Sequence, residues 1–242
     1  MKNPFRHERI PALEREIAGI RFDCPIAIEP APVLKGRHCG LRARHFAFAE
    51  ISPIDDAAQT GLRLREKGSP DRVALNITRT EGRTSDELIE SNADAFSHLY
   101  DFAEMFVLDT CRVDSSGAMP LQNTETLSEV LDRMMDIRRF YEGDKAVFVR
   151  VSDMISEREL ADVLHLVRMS GVDAVIAGTD RFCPELLQRI RNYTGDRLPI
   201  IACGGINTYA KARELLDGGA ALVQVQRIAA GLIMRSLETA LK

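Results

Sequence analysis

Short apolar runs alternate with longer stretches of helical spacing through most of the chain. The runs are nearly continuous, as in strands of a parallel sheet that helices cover on both faces. From Val73 onward this pattern predicts six strands. Their predicted bounds are residues 73–77, 105–110, 146–152, 173–178, 199–205 and 221–226.

A segment with helical spacing follows each of these predicted strands. Thr84 or Ser85 is a suitable N-cap for the first helix and Ser156 for the third, because their hydroxyl groups can accept from backbone N–H groups of the first turn. Gly143 and Gly171 stand where the second and third helices are expected to end. The predicted helices cover residues 84–104, 124–143, 156–171, 184–195 and 208–219, and a last helix runs to the C-terminus.

Two more apolar runs lie upstream, at residues 24–29 and 46–51, and bring the number of predicted strands to eight. Eight strands alternating with helices predict a TIM (β/α)8 barrel. The alternative is an open doubly wound sheet, but no GxGxxG motif follows the first strand. No linker or repeat divides the chain, so we expect one barrel domain over residues 1–242, with residues 1–16 as an N-terminal extension.

The composition is that of a soluble globular protein, with 45% hydrophobic and 28% charged residues. The formal net charge of -4 and the even spread of Lys and Arg indicate neither a nucleic acid nor a membrane partner. The five cysteines have no CxxC spacing, so we expect free thiols, no metal site and a reducing, cytoplasmic location. We find no apolar run of signal or membrane-span length.

Active sites of such barrels lie at the carboxyl ends of the strands, so the residues that end each strand are the candidates. These residues are polar and carry both charge signs, which is costly for buried groups unless they are paired or hydrated. They are Glu29 and residues 50–52, 76–78, 109–112, 150–152, 178–180, 204–205 and 226–227.

Gly204 and Gly205 end the seventh strand, where barrels of this type often bind phosphate. Lacking Cβ, they allow backbone N–H groups to approach an anion and tolerate positive φ. Arg227, just after the eighth strand, could add a charge-assisted bond. The alternative is a tight turn that needs glycine for packing alone.

Arg150 and Cys111 are the other candidates from the residues alone. Arg150 stands in an otherwise apolar strand, so its charge needs a ligand or an internal carboxylate such as Asp109 or Glu50. Cys111 ends the fourth strand and opens a long loop, where a thiol can act in proton transfer. The alternative for Cys111 is a small buried hydrophobic residue.

The order of strand ends resembles the dihydroorotate dehydrogenases over most of residues 17–242 and most specifically over residues 146–225. The motifs that carry this resemblance are "IAGIRFDCPI", "FAFAEIS", "VALNI", "MFVLDTC", "AVFVRVSDMISERELADVLHLVRMSGVDAVIAGT", "GDRLPIIACGGI" and "DGGAALVQVQ". The resemblance implies an FMN-dependent barrel of pyrimidine synthesis that oxidises dihydroorotate to orotate, passes hydride to the flavin and uses a Ser or Cys base. It also implies a small-molecule substrate and a homodimer.

The resemblance also implies roles for individual residues. Gly204 and Gly205, with Gln226 and Arg227 after the last strand, match the FMN phosphate site. Asn76 matches an Asn near the flavin and the orotate, and Cys111 stands about where the base is found. Asp109 and Arg150 are then expected to orient the flavin or the substrate.

This chain departs from the family pattern at several of these positions. Arg150 replaces a Lys that touches the flavin ring, Asp109 replaces an Asn, and Gln226 and Arg227 replace a Tyr-Thr pair. The segment "EPAPV" replaces a glycine-containing stretch along the flavin, and the chain is shorter than typical members. Two alternatives therefore remain. One is a non-catalytic relative without flavin, and the other is a barrel enzyme that acts on another phosphorylated small molecule.

Overall fold

Eight parallel strands close into a barrel, in which the last strand pairs with the first. The computed structural model describes residues 11–31, 46–52, 54, 72–82, 84–141 and 145–240. The predicted TIM barrel is confirmed, and the alternative of an open sheet is wrong. The barrel strands are β3 (Ile26–Ala31), β4 (Ala49–Ile51), β5 (Val73–Asn76), β6 (Met105–Asp109), β7 (Ala146–Val151), β8 (Ala174–Ala177), β9 (Ile200–Ala202) and β10 (Leu222–Val225).

Helices follow strands β5 to β10 and cover the outside of the barrel. Thr84 caps the first of them, and Ser156 forms a reciprocal capping box with Glu159 on the third. Gly171 ends the third helix in the left-handed region at φ 78°, as a glycine C-cap does, whereas Gly143 lies outside the described residues. The helices are α1 (Ser85–Leu99), α2 (Thr124–Phe140), α3 (Glu157–Ser170), α4 (Pro184–Thr194), α5 (Tyr209–Asp217) and α6 (Arg227–Ala240).

An antiparallel hairpin precedes the barrel and packs against its apolar interior. Its strands are β1 (Arg15–Ile17) and β2 (Ile20–Phe22). Ile17 and Phe22 are buried in the same cluster as Phe48, and the Phe22 and Phe48 rings lie 6.3 Å apart. The hairpin thus adds apolar contacts to the part of the lumen near the amino ends of the strands, which we call the lower part. The division into residues 1–16 and a barrel stays a prediction, because residues 1–10 lie outside the described part.

The lumen changes from apolar to polar along the strands. Phe48 and Phe148 meet across its lower part with ring centroids 6.1 Å apart. Because side chains alternate along a strand, the next inward position after each of these residues is two further on. Those positions are Glu50 and Arg150, both buried. A packed apolar base thus supports a charged layer near the carboxyl ends of the strands.

Strand β9 is shorter than the sequence pattern predicts. The predicted strand ran from 199 to 205, but the regular strand ends at Ala202. Gly204 and Gly205 have φ angles of 104° and 60°, which are incompatible with a strand. The backbone therefore turns sharply at the carboxyl end of the barrel.

Among the helices of the described segments, none has the length and apolar character that a bilayer crossing requires.

Candidate site at the carboxyl end of the barrel

Five strands contribute polar side chains to one buried layer in the lumen, which we call the polar layer. Its members come from β4, β5, β6, β7 and β10, and each is 7% exposed or less. They are Glu50, Asn76, Asp109, Arg150 and Gln224. The structure thus brings together three predicted site residues, Asn76, Asp109 and Arg150.

Arg150 is held by three partners from three other strands. Its Nη1 donates to Asp109 Oδ2 at 3.1 Å, and its Nη2 donates to Glu50 Oε2 at 2.5 Å and to Gln224 Oε1 at 3.1 Å. Burial alone lowers the pKa of Arg150, but Glu50 and Asp109 raise it well above its ordinary value. The guanidinium therefore stays charged, and the internal ion pair that the sequence left open is present.

The remaining contacts of the polar layer satisfy its carboxylates. Gln224 Nε2 donates to Glu50 Oε2 at 2.7 Å, and Asn76 Nδ2 donates to Glu50 Oε1 at 3.1 Å. Asn76 Nδ2 also lies 3.4 Å from Asp109 Oδ2. Two carboxylates thus face one guanidinium, and Arg150 Nε is buried with no hydrogen-bond partner among the described residues.

Cys111 lies beside this layer but is poorly suited to lose a proton. Its backbone N–H donates to Asp109 Oδ1 at 3.0 Å. Burial, and then the charge of Asp109, raise the pKa of the Cys111 thiol well above its usual value. The thiol therefore keeps its proton at neutral pH. The role of Cys111 as a base stays a prediction, and its surroundings do not favour it.

Gly204 and Gly205 pack against the segment that follows β8. A Cβ on Gly204 would lie 2.4 Å from the carbonyl oxygen of Arg181, and one on Gly205 would lie 2.9 Å from the backbone nitrogen of Phe182. Both distances are shorter than real contacts, so both positions require glycine for packing. The anion-binding role of the two residues is a separate claim and stays a prediction.

Gln226 and Arg227 lie next to this turn along the chain. The backbone N–H of Gln226 donates to the carbonyl oxygen of Ile206 at 3.3 Å. Arg227 is exposed and begins α6. The two segments that the resemblance assigns to a phosphate therefore lie side by side. What they bind stays a prediction.

Glu29 faces the turn from the end of β3, and the sequence assigned it no role beyond its place in the rim. The backbone N–H of Gly204 favours the ionised form of its carboxyl group. Its Oε1 is nevertheless buried with no hydrogen-bond partner in the described residues. Burial, followed by the charge of Asp180, raises the pKa of Glu29 from 4.5 to about 7. Glu29 is thus the group of this site that exchanges a proton near neutral pH.

The described part of the chain contains no group of three His, Cys, Asp or Glu residues that could hold a metal ion. The fold and the site together define a (β/α)8 barrel with a buried ionic layer below its carboxyl rim. No family model matches the sequence.

Curated relatives are dihydroorotate dehydrogenases. The dihydroorotate dehydrogenase (quinone) of Christiangramia forsetii is 20% identical over 88% of this chain and 78% of its own. The enzyme of the same name from Methylococcus capsulatus is 24% identical, over 92% of this chain and 83% of its own. The resemblance that the strand-end motifs indicate is therefore confirmed, and the low identity marks this chain as a divergent relative.

Solved structures agree on the fold. A ligand-free dihydroorotate dehydrogenase from Eimeria tenella matches with a TM-score of 0.74 at 16% identity, over 99% of this chain and 90% of that chain. A deoxyribose phosphate aldolase from Aeropyrum pernix matches with a TM-score of 0.63 at 14% identity, over 88% of this chain and 90% of that chain. Both likenesses support a TIM barrel and carry no information on chemistry.

The FMN that the resemblance implies stays a prediction, and the charges of the described site residues do not favour it. Both terminal nitrogens of Arg150 already donate to Glu50, Asp109 or Gln224, which leaves Nε and one N–H of Nη1 for another acceptor such as a flavin carbonyl group.

At the turn formed by Gly204 and Gly205, which we call the glycine turn, the backbone N–H of Gly204 favours the ionised form of the Glu29 carboxyl group. A phosphate dianion there would meet the acidic residues Glu29 and Asp180, and also Lys211, whose Nζ donates to the carbonyl oxygen of Gly205 at 2.9 Å. We therefore derive no reaction step through a flavin.

We expect Arg150→Met to lower the free energy of unfolding by about 3–5 kcal/mol, because it leaves two buried carboxylates without their cation. The control is Arg133→Met, since Arg133 pairs with Glu90 on the surface, where both side chains are 58% exposed; its expected cost is about 0–1 kcal/mol. Urea denaturation at neutral pH measures both. Equal losses would contradict a structural role for the polar layer.

A second prediction concerns pH. Because Glu29 has a raised pKa in the folded protein, the folded state binds more protons than the unfolded state between pH 4.5 and about 7. The contribution of Glu29 to stability is therefore present below this window and falls as the pH rises through it. We expect the stability of Glu29→Gln relative to the natural chain to increase across the same window.

Thermal denaturation at several pH values checks this expectation, with Glu214→Gln on the exposed face of α5 as the control for the same change in charge. The difference between Glu214→Gln and the natural chain is expected to stay nearly constant. A constant difference for Glu29→Gln as well would show that Glu29 titrates normally.

Proposed function

We propose that this protein uses the barrel of its dihydroorotate dehydrogenase relatives to bind a small polar molecule at the carboxyl rim, without FMN. The observation that carries the proposal is the set of three hydrogen bonds that ties the terminal nitrogens of Arg150 to partners within the chain. In the related family a lysine at this position touches the flavin ring. Here the cation instead joins β7 to β4, β6 and β10 through Glu50, Asp109 and Gln224.

The charge of the rim supports the same conclusion. Reduced flavin and its phosphate are both anionic, and a protein stabilises them with nearby positive charge or hydrogen-bond donors. In the described part of the rim, Glu50 and Asp109 face one buried cation, Arg150, and the half-buried Glu29 adds a third carboxyl group. Asp180, Lys211 and Arg227 lie further toward the solvent. A neutral or cationic polar ligand is therefore favoured over a flavin nucleotide.

The two groups of the rim without partners suggest how such a ligand is held. Arg150 Nε is a donor and Glu29 Oε1 an acceptor, and neither has a hydrogen-bond partner among the described residues. Buried polar groups are rarely left unpaired, so a ligand or ordered water is expected at each. An amide-like molecule, which offers both an acceptor and a donor, matches this pair.

A second candidate is an FMN-dependent oxidoreductase that converts dihydroorotate to orotate in pyrimidine synthesis. The observation that favours it is the similarity to dihydroorotate dehydrogenases along 88% to 92% of the chain. Asn76, which matches an Asn near the flavin and the orotate in that family, lies in the polar layer. Under this candidate Arg150 would donate to the flavin from Nε, which has no hydrogen-bond partner among the described residues.

Flavin content separates the two candidates. We expect the purified protein to be colourless and to retain no flavin absorption after incubation with FMN and gel filtration. The dihydroorotate dehydrogenase (quinone) of Methylococcus capsulatus, treated in the same way, is the positive control for the procedure. No reduction of a quinone is expected with dihydroorotate in the presence of added FMN. Retention of one FMN per chain, or dihydroorotate-dependent quinone reduction, would establish the second candidate.

A further inference from the structure

A groove between helices α3 and α4 lies on the outside of the barrel. Its volume is about 210 Å³, and its walls are formed by Ala161, Leu164, His165, Arg168, Tyr193 and Thr194. We propose that this groove binds a small aromatic carboxylate, with the carboxylate group on Arg168 and the ring against Leu164 and Tyr193. This inference goes beyond the proposed function and does not depend on it.

Helix α3 supplies one wall of the groove from a single face. Ala161, Leu164, His165 and Arg168 are three, four and seven positions apart, so they follow one side of the helix. Leu164 is buried, whereas His165 and Arg168 are exposed. The face that α3 turns toward α4 is therefore apolar beside the barrel and basic toward the solvent.

Helix α4 supplies the opposite wall from its last turn. The Tyr193 side chain is 45% exposed, and its hydroxyl group donates to Glu157 Oε2 at 3.4 Å. Thr194 is buried, and its hydroxyl group donates to the carbonyl oxygen of Ile190 at 3.0 Å. Because both hydroxyl groups have partners within the chain, this wall offers a ligand mainly the face of the Tyr193 ring.

Arg168 is a charged group of the groove whose donors are not used by the described chain. Its guanidinium forms no hydrogen bond and no ion pair with any described residue. The residues three and four positions before it, where a helix places an ion-pair partner, are His165 and Leu164. Glu157, on the first turn of the same helix, is paired with Arg189 instead. The donors of Arg168 are therefore available to an incoming carboxylate.

The size and the chemistry of the groove select the ligand class. A volume of about 210 Å³ lies below the roughly 300–1,000 Å³ of pockets for drug-sized ligands, so the groove suits a single ring. A planar guanidinium binds a carboxylate through two parallel hydrogen bonds. A ring packed against Leu164 and Tyr193 adds apolar contact that inorganic anions cannot make. An aromatic carboxylate therefore uses both parts of the groove.

Benzoate is the appropriate probe, because it is the simplest aromatic carboxylate. We would titrate it into the natural chain and follow the backbone amide NMR signals. We expect saturable shifts at residues 161–168 and 193–194, with a Kd of about 1 mM. Arg168→Gln is expected to weaken binding at least about tenfold, because it removes the charge-assisted hydrogen bonds. The control is Arg158→Gln, the same change at an exposed position of α3 outside the groove, and its affinity is expected to equal that of the natural chain.

Two further measurements test the shape of the groove and the need for charge. Ala161→Phe is expected to abolish benzoate binding, because the larger side chain fills the groove without changing its charge. Benzyl alcohol has the same ring and no charge, so we expect it to bind the natural chain at least about tenfold more weakly than benzoate. Thermal denaturation of each variant checks that it is folded.

Equal benzoate affinity of Arg168→Gln and the natural chain would overturn the proposal. Absence of benzoate binding to the natural chain, or equal binding of benzyl alcohol and benzoate, would overturn it as well. Should Ala161→Phe fail to fold, Arg168→Gln still decides, since it changes an exposed side chain. None of these measurements involves FMN or the carboxyl rim, so failure of the proposed function and failure of this inference are distinguishable.

Discussion

The buried guanidinium of Arg150 is the interaction on which the carboxyl half of the lumen depends. Removing a cation and two carboxylates from water costs several kcal/mol per ion, and only close pairing and full hydrogen bonding offset that cost. Arg150, Glu50, Asp109 and Gln224 pair at distances of 2.5 to 3.1 Å, and within the described residues Arg150 Nε is left without a partner. Because the four residues come from four strands, the network also ties those strands to one register. A shift of one residue would turn each side chain out of the lumen.

This constraint explains why the fold could be predicted so closely from the sequence. Strands buried on both faces must be apolar almost throughout, so the exceptions mark the inward positions near the carboxyl ends. Asn76, Asp109 and Arg150 are such exceptions, and their clustering follows from closing eight parallel strands in order. Asp109 and Arg150 are even register partners on neighbouring strands. Periodicity and chain order thus sufficed for the barrel and for four of the five residues of the polar layer, since Glu50 was expected as a partner of Arg150.

The remaining parts of the site depend on distances that periodicity does not contain. In the sequence, nothing distinguishes Gln224 from other polar residues in predicted strands. Closure of the barrel brings its Oε1 within 3.1 Å of Arg150 Nη2. Glu29 was identified as a strand end, but its raised pKa depends on burial and on Asp180, which is far away in sequence. The need for glycine at 204 likewise comes from the backbone of Arg181. Contacts between distant segments decide these three properties.

The same backbone can serve different ligands because the fold and the rim charge are set by different residues. The apolar base of the lumen, with Phe48 and Phe148 in contact, supports any charged layer whose hydrogen bonds are complete. Placing an arginine between two carboxylates balances part of the buried charge within the chain itself, so an anionic cofactor is less needed there. Similarity to dihydroorotate dehydrogenases therefore accounts for the barrel, while its chemistry depends on which ligand the charged layer and the rim above it admit.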